Sequence, residues 1–214
     1  MAIDETMLRR AITDVLLSSA GLPTLAEAKK LLSKIKERVE VIVEERSGSK
    51  VSEQVLSHLH SLLGGAEKVK LLPVWVKEWT LERPDPLILV GGRLGGRYRF
   101  YGDPAEILEP MFLLAVAAAG GAWKPKTCKG LEAAKGTVVL YVVPGLPCAK
   151  AMYHTLPVML CSKEAVLEVI NIETWILEGG KPPVSRVPAF LTPRGRLHMG
   201  APRGPADAVK LWQG

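Results

Sequence analysis

The chain nearly repeats its own layout at a spacing of about 100 residues, and this constrains its fold more than any single motif does. The first copy runs Val39-Glu40-Val41-Ile42-Val43, a polar turn and a helical stretch, then Arg83-Pro84-Asp85-Pro86-Leu87-Ile88-Leu89-Val90 before Gly91-Gly92. The second runs Thr137-Val138-Val139-Leu140-Tyr141-Val142-Val143, Pro144-Gly145-Leu146-Pro147-Cys148 and a helical stretch, then Arg186-Val187-Pro188-Ala189-Phe190-Leu191 before Pro193-Arg194-Gly195. Both close on similar punctuation, Gly102-Asp103-Pro104-Ala105-Glu106 against Gly204-Pro205-Ala206-Asp207. Such a duplication predicts two small units in place of one irregular domain. The first unit with its leading helices is expected over 1–122, a linker over 123–136 and the second unit over 137–214.

Composition fits two globular units, with 48% hydrophobic and 23% charged residues. The longest apolar run, Met111 to Trp123, is too short for a bilayer and reads as the end of a buried helix. Asp4 and Glu5 stand where a secretory signal needs basic residues, so a cytoplasmic protein without membrane contact is expected. The net charge of +6 is lopsided, since residues 181–214 hold Lys181, Arg186, Arg194, Arg196, Arg203 and Lys210 against Asp207 alone. Only Phe190 and Trp212 could stack on bases there, so a solvated basic surface is expected and nucleic acid is not the expected partner. Asn171 is the one Asn, and Gln54 and Gln213 are the two Gln. That depletion of thermolabile amides points to a thermophilic source, where intracellular disulfides occur.

Two amphipathic helices precede the first strand. Leu8, Ala11, Ile12, Val15 and Leu16 mark the apolar face of one, which Gly21 and Pro23 end. Thr24 and Glu27 form a capping box for the next, with Leu25, Ala28, Leu31, Leu32 and Ile35 as its inner face. A short β-branched strand at Val39 to Val43 gives way to a helix over Lys50 to Leu63, stopped by Gly64-Gly65. A strand is predicted at Val69 to Val76 and a hairpin from Pro86–Val90 to Tyr98–Tyr101, with Asp103 as N-cap and Pro104 as first residue of a closing helix. The second copy repeats the order with strand 137–143, helix 147–159, strands 166–172, 188–192 and 197–200, and helix 205–212. The fold class is therefore α/β: two tandem thioredoxin-like units, each with a mixed central sheet of four strands flanked by helices. Separate sheets are expected, and the bonds before Pro188 and Pro86 are expected to be cis.

On Val184-Ser185-Arg186-Val187-Pro188-Ala189, the turn Pro144-Gly145-Leu146-Pro147-Cys148 and this element order, the chain resembles the glutaredoxin-like protein disulfide oxidoreductases of hyperthermophilic prokaryotes. The N-terminal module of the alkyl hydroperoxide reductase flavoprotein is a more distant likeness. The resemblance implies a Cys-x-x-Cys at a helix start, where the helix dipole ionises an attacking thiol and a second thiol resolves the mixed disulfide. This chain has no Cys-x-x-Cys. In the first copy Ser49-Lys50-Val51-Ser52 falls on the motif, and a serine hydroxyl without a base caps a helix and does not replace a thiolate. In the second, a gap-free frame places Leu146-Pro147-Cys148-Ala149 there, with Leu146 and Ala149 on the two thiol positions.

Two readings of Cys148 stand: an inert thiol at a helix start, or, with a longer turn, the first motif position followed by Ala149-Lys150-Ala151, a single reactive thiol favoured by Lys150 and without a resolver. Cys128, Cys148 and Cys161 admit at most one internal disulfide; Cys161, after Val158-Met159-Leu160, reads as a buried thiol, and Cys128 falls in the linker. Cys148, His154 and Cys161 lack the paired spacing of zinc sites, so no metal is expected, and no cofactor. His58 and His60 read as surface residues, and Gly91–Arg97 serves a hairpin, not a phosphate. The expected function is binding of peptide or protein clients at Pro147, Val187 and Pro188 without dithiol turnover. The alternative is a monothiol thiol–disulfide oxidoreductase that uses Cys148 with low-molecular-weight or protein thiols as resolver.

Overall fold

The structure, a computed structural model, describes residues 4–46, 48–76 and 82–214. Helices α1 (Glu5–Ser19) and α2 (Leu25–Leu32) lead into β1 (Val39–Arg46), α3 (Lys50–Leu63), β2 (Val69–Val76), β3 (Leu87–Val90), β4 (Tyr98–Tyr101) and α4 (Glu109–Ala119). The order then recurs as β5 (Lys135–Val142), α5 (Leu146–Cys161), β6 (Glu164–Asn171), α6 (Ile172–Leu177), β7 (Ala189–Leu191), β8 (Leu197–Met199) and α7 (Pro205–Ala208), which continues as a 3-10 turn, Val209–Trp212.

Among the described residues all the strands join one 8-stranded sheet in the order β2-β1-β3-β4-β6-β5-β7-β8, so the expectation of separate sheets is corrected. The repeat is still plain, because each half shows the same order: second strand, first, third, fourth. In both halves the helical crossover joins parallel neighbours and the third strand returns antiparallel to the first. The halves meet where β4 and β6 pair in parallel, from Tyr98 opposite Leu167 to Tyr101 opposite Ile170. Tyr98, Phe100, Leu167 and Val169 are all buried on the same core face, so the joint continues one apolar surface and removes two exposed strand edges.

The principal core lies between that face and the helices. Alternate residues Val39, Val41 and Val43 of β1 and Val138, Leu140 and Val142 of β5 pack with α4, whose residues Pro110 to Ala119 are all buried, as the apolar run predicted. The opposite face is thinner: Val139, Tyr141, Ile170 and Ala189 are covered by Ile172 and Trp175 of α6, an element the sequence reading missed. Asn171, read as strand, caps α6 by accepting from the Glu173 amide at 3.0 Å.

The capping box at Thr24 and Glu27 forms as expected, and Ala28, Leu32 and Ile35 are buried. The apolar face assigned to α1 does not pack. Leu8, Ile12, Val15 and Leu16 are exposed and only Leu17 of that helix is buried, while Asp14 accepts from the Leu25 amide at 3.3 Å. Asp103 is not the N-cap of the closing helix either: a 3-10 turn, Glu106–Leu108, intervenes and α4 starts with Pro110 in its first turn. Asp103 instead binds His58 Nδ1 at 2.7 Å, while His58 Nε2 lies 3.3 Å from Glu109 Oε1. His58 is therefore half-buried between two carboxylates and not a surface residue, whereas His60 is exposed. The Asp103 carbonyl accepts from Asn171 Nδ2 at 2.7 Å and its amide donates to Thr174 Oγ1 at 3.1 Å, which fastens the two repeats together. Arg97 adds to this joint by donating to the carbonyls of Met159 and Ser162 at the end of α5 and of Ala165 at the start of β6.

Candidate functional site

Each repeat brings the same three pieces together: the end of its first strand, the start of its first helix and the loop before its third strand. The sheet register fixes which residues correspond. Glu44 stands opposite Leu87, the residue after Pro86, and Tyr141 opposite Ala189, the residue after Pro188. Glu45 therefore matches Val142, and Arg46 matches Val143. The bonds Asp85–Pro86 and Val187–Pro188 are both cis, as expected. In both repeats the proline carbonyl accepts from a glycine amide beyond the fourth strand at 2.8 Å, Gly102 for Pro86 and Gly200 for Pro188.

The helix starts correspond through their caps. Ser49 is the N-cap of α3 and its hydroxyl accepts from the Ser52 amide at 3.2 Å, the capping role foreseen for it. Gly145 is the N-cap of α5, so Gly145–Cys148 matches Ser49–Ser52. This corrects the gap-free frame by one residue. Leu146 and Ala149 do not occupy the paired positions, and Cys148 stands opposite Ser52 with Gly145 at the other position. The frame slipped because the turn before α5 is one residue shorter than the turn before α3, which sequence spacing alone does not reveal.

Cys148 is 2% exposed, and burial pushes its thiol above the usual cysteine range against a backbone hydrogen bond from Val143 that favours the thiolate. Pro147 is exposed beside it. Val187 is half-buried and Pro188 buried; among the described residues, neither the N–H nor the C=O of Val187 has a hydrogen-bond partner. A cleft of about 390 Å³ is lined by Val143, Pro144, Ile176, Leu177, Glu106 and Glu173, and Val143 packs against the same small apolar cluster as Val187. Ile176 and Leu177 are strongly exposed apolar side chains, and Glu106 holds a left-handed backbone, φ 54°, that is rare outside glycine and asparagine.

The first repeat replaces this apolar arrangement with carboxylates. Asp85 occupies the place of Val187, Glu45 that of Val142 and Ser52 that of Cys148. Asp85 accepts the Arg46 amide on Oδ1 at 3.1 Å, and its own amide donates to Glu178 Oε2 at 2.8 Å. Glu178 belongs to the second repeat, so one repeat fills the loop of the other. Glu45, Ser52 and Asp85 are fully buried, and among the described residues Glu45 Oε1 and Oε2, Ser52 Oγ, Asp85 Oδ2 and Glu178 Oε1 have no hydrogen-bond partner, although Arg46 approaches Glu178 Oε1 to 3.9 Å. Burial and the neighbouring Asp85 and Glu53 raise the Glu45 carboxyl, while burial raises that of Glu178. Among the described residues, no group of three His, Cys, Asp or Glu side chains is placed to hold a metal ion. The sequence reading passed over Glu45 and Glu178; the signal was Asp85, which differs from Val187 at the residue before the matched prolines.

The remaining cysteines are paired. Cys128 and Cys161 form a disulfide with Cα atoms 5.3 Å apart, which corrects the reading of Cys161 as a buried free thiol. Cys161 is the last residue of α5 and half-buried, so the apolar run before it ends short of the thiol.

No family model matches the sequence, and no curated protein matches it. Solved structures do. The alkylhydroperoxide reductase protein AhpF of Enterococcus faecalis aligns over 88% of this chain and 96% of that one, with a TM-score of 0.75 at 15% identity. Its NTD_N/C domain, solved separately, gives a TM-score of 0.73 over 88% of this chain and 97% of its own, at 15% identity. A protein disulfide oxidoreductase from Aeropyrum pernix covers 88% of this chain and 90% of its own, with a TM-score of 0.59 at 20% identity. The fold is two tandem thioredoxin-like units. In that frame the helix starts at Ser49 and Gly145 and the proline loops at Pro86 and Pro188 are the two candidate sites. Among the described residues no helix is long and apolar enough to cross a membrane.

Proposed function

We propose that this tandem thioredoxin-fold chain binds extended polypeptide at its second repeat and carries out no dithiol turnover at either helix start. The observation behind this reading is the contrast between the two proline loops: the Asp85 amide is taken by Glu178, whereas the Val187 backbone has no partner. An extended segment laid along residues 185–188 pairs its backbone with Val187, in the manner of strand addition. Its apolar side chains then sit against Ile176, Leu177 and Pro144, with exposed Pro147 at the helix-start side. Dithiol exchange needs an attacking and a resolving thiol in one site. The first helix start offers Ser49 and Ser52, and the second offers Gly145 and a buried Cys148 whose thiol is raised.

Titration of ¹⁵N-labelled protein with carboxymethylated insulin B chain is expected to shift the amides of Arg186, Val187 and Leu146 and to leave Asp85 in place. Insulin reduction driven by dithiothreitol is expected to run at the same rate for Cys148→Ser as for the native chain, so that any turnover present belongs to Cys128 and Cys161 and not to a helix start. The Val143 hydrogen bond to the Cys148 sulfur favours a second reading, a monothiol oxidoreductase resolved by low-molecular-weight or protein thiols. Turnover that Cys148→Ser abolishes would establish that reading in place of ours.

A further inference from the structure

The disulfide Cys128–Cys161 lies at the opposite end of α5 from Cys148, about 20 Å along the helix at 1.5 Å per residue. It ties the connection between the repeats to the last turn of that helix. Both cysteines are half-buried, so the pair lies at the margin of the core and not inside it. Residues 124–130 are all exposed or half-buried, and the buried anchors of the connection begin only at Leu131 and Ala134. The end of α5 has separate fastenings, because Ser162 Oγ donates to the Ala134 carbonyl at 2.6 Å and Arg97 donates to the Ser162 carbonyl at 2.7 Å. Opening the disulfide therefore uncovers no core.

The two sulfurs differ electrostatically. Exposed Lys126 and Lys129 flank Cys128, and residues 123–131 contain no acidic side chain. Nearby ammonium groups favour a thiolate there. Cys161 sits at the C-terminus of α5, where the partial negative charge of the helix disfavours one. Cys128 is accordingly the better leaving group.

We propose that Cys128–Cys161 is a thiol–disulfide exchange site whose co-substrate is a dithiol. A thiolate of the dithiol attacks Cys161 Sγ, the Cys128–Cys161 bond breaks, and its electron pair leaves on Cys128 as a thiolate. The second thiol of the co-substrate then loses its proton to buffer, attacks the first sulfur and displaces Cys161. The dithiol is oxidised by two electrons to a disulfide, and the two cysteines are reduced by two electrons and take up two protons. The product is a folded chain whose inter-repeat connection is released from α5.

The test uses the full-length oxidised protein in native buffer, treated with dithiothreitol, quenched in acid and alkylated with N-ethylmaleimide. Cys128 and Cys161 are expected to label together, at least tenfold faster than Cys148, and oxidised glutathione is expected to close the bond again. In Cys128→Ser, oxidised glutathione should form an adduct on Cys161. In Cys161→Ser, Cys128 should react with iodoacetamide near neutral pH about tenfold faster than in the same variant carrying Lys126→Ala and Lys129→Ala, the equivalent of roughly one unit of thiol pKa. A bond that opens only in guanidinium, or aerobically purified protein with both thiols free, would overturn the proposal. So would lysine removal that leaves the Cys128 rate unchanged. The native-buffer arm needs no variant and decides the matter even where a substitution prevents folding.

Discussion

The amide of Asp85 donates to Glu178 Oε2 at 2.8 Å, so a carboxylate of the second repeat fills the backbone position that in the second repeat's own loop, at Val187, is open. Removing it with Glu178→Ala leaves a buried donor unsatisfied. The expected cost is about 1–2 kcal/mol in urea unfolding, with faster hydrogen exchange at the Asp85 amide. An Asp85 amide that stays equally protected in the variant would contradict the contact.

Glu45 is fully buried with neither oxygen paired, and Val142 holds the same place in the other repeat. Glu45→Val is expected to raise stability at neutral pH by about 1–3 kcal/mol, since an unsatisfied buried carboxylate is exchanged for an apolar side chain. The native-state carboxyls of Glu45 and Glu178 lie above the 4.5 of the unfolded chain. Their contribution is fully present below that value and is lost as pH rises through the raised native values. Chemical unfolding measured from acid to neutral pH should show this decline in the native chain, and Glu45→Val should flatten it.

His58 titrates in the opposite part of the scale, held up to about 9 by hydrogen bonds to Asp103 and then Glu109. A raised histidine contributes stability that is complete below its ordinary 6.5 and disappears as pH passes about 9. His58→Ala is expected to cost about 1–3 kcal/mol at pH 6, allowing for partial solvent screening. The difference between native and variant urea midpoints should shrink between these two pH values.

The sequence disclosed the repeat, the strand order and the two cis prolines, because all of these depend on local patterns: β-branched runs, a proline before an apolar strand, a glycine after a helix. What escaped it was pairing across distance. Neither β4 nor β6 announces in its sequence that it will join the other half, although β6 is buried along its last five residues. His58 read as a surface residue because its partners, Asp103 and Glu109, come from another element. The helix-start frame failed by one residue in a turn, and the carboxylates meeting behind Asp85 come from positions 45, 85 and 178, which no window of sequence brings together. The absence of a second thiol near Cys148 was legible in the sequence, but the burial of Cys148 was not.

Gly180 sits where an added methyl would fall 1.9 Å from Trp175 Cδ1. Trp175 packs in the cluster that also holds Val187 against the sheet. Gly180→Ala is expected to displace the indole, cost about 1–3 kcal/mol, and weaken binding of unfolded polypeptide at the Val187 loop. Intrinsic fluorescence would register the first effect and the ¹⁵N titration the second; an unmoved indole signal with native stability would show that the close approach is not needed.

Reduction of Cys128–Cys161 removes a cross-link between residues 33 apart in sequence. Loop-closure entropy puts its contribution at about 3–4 kcal/mol. A double Cys128→Ser, Cys161→Ser variant should unfold at correspondingly lower urea, with an unchanged fold by circular dichroism.

The β4–β6 joint also has a consequence for polymer growth. The repeats follow one another head to tail along the sheet, so the outermost strands, β8 and β2, correspond to β4 and β6. The same joint made between β8 of one molecule and β2 of another never closes on itself and would extend as a filament. The Leu167 amide bonds to the Arg97 carbonyl across the joint, and by strand alternation the Val169 amide points the same way. Register with the first strand of each repeat makes Pro73 the counterpart of Val169. Proline has no amide hydrogen to offer an incoming strand. A joint of this kind at β2 would therefore lack one of the backbone donors that β6 presents to β4.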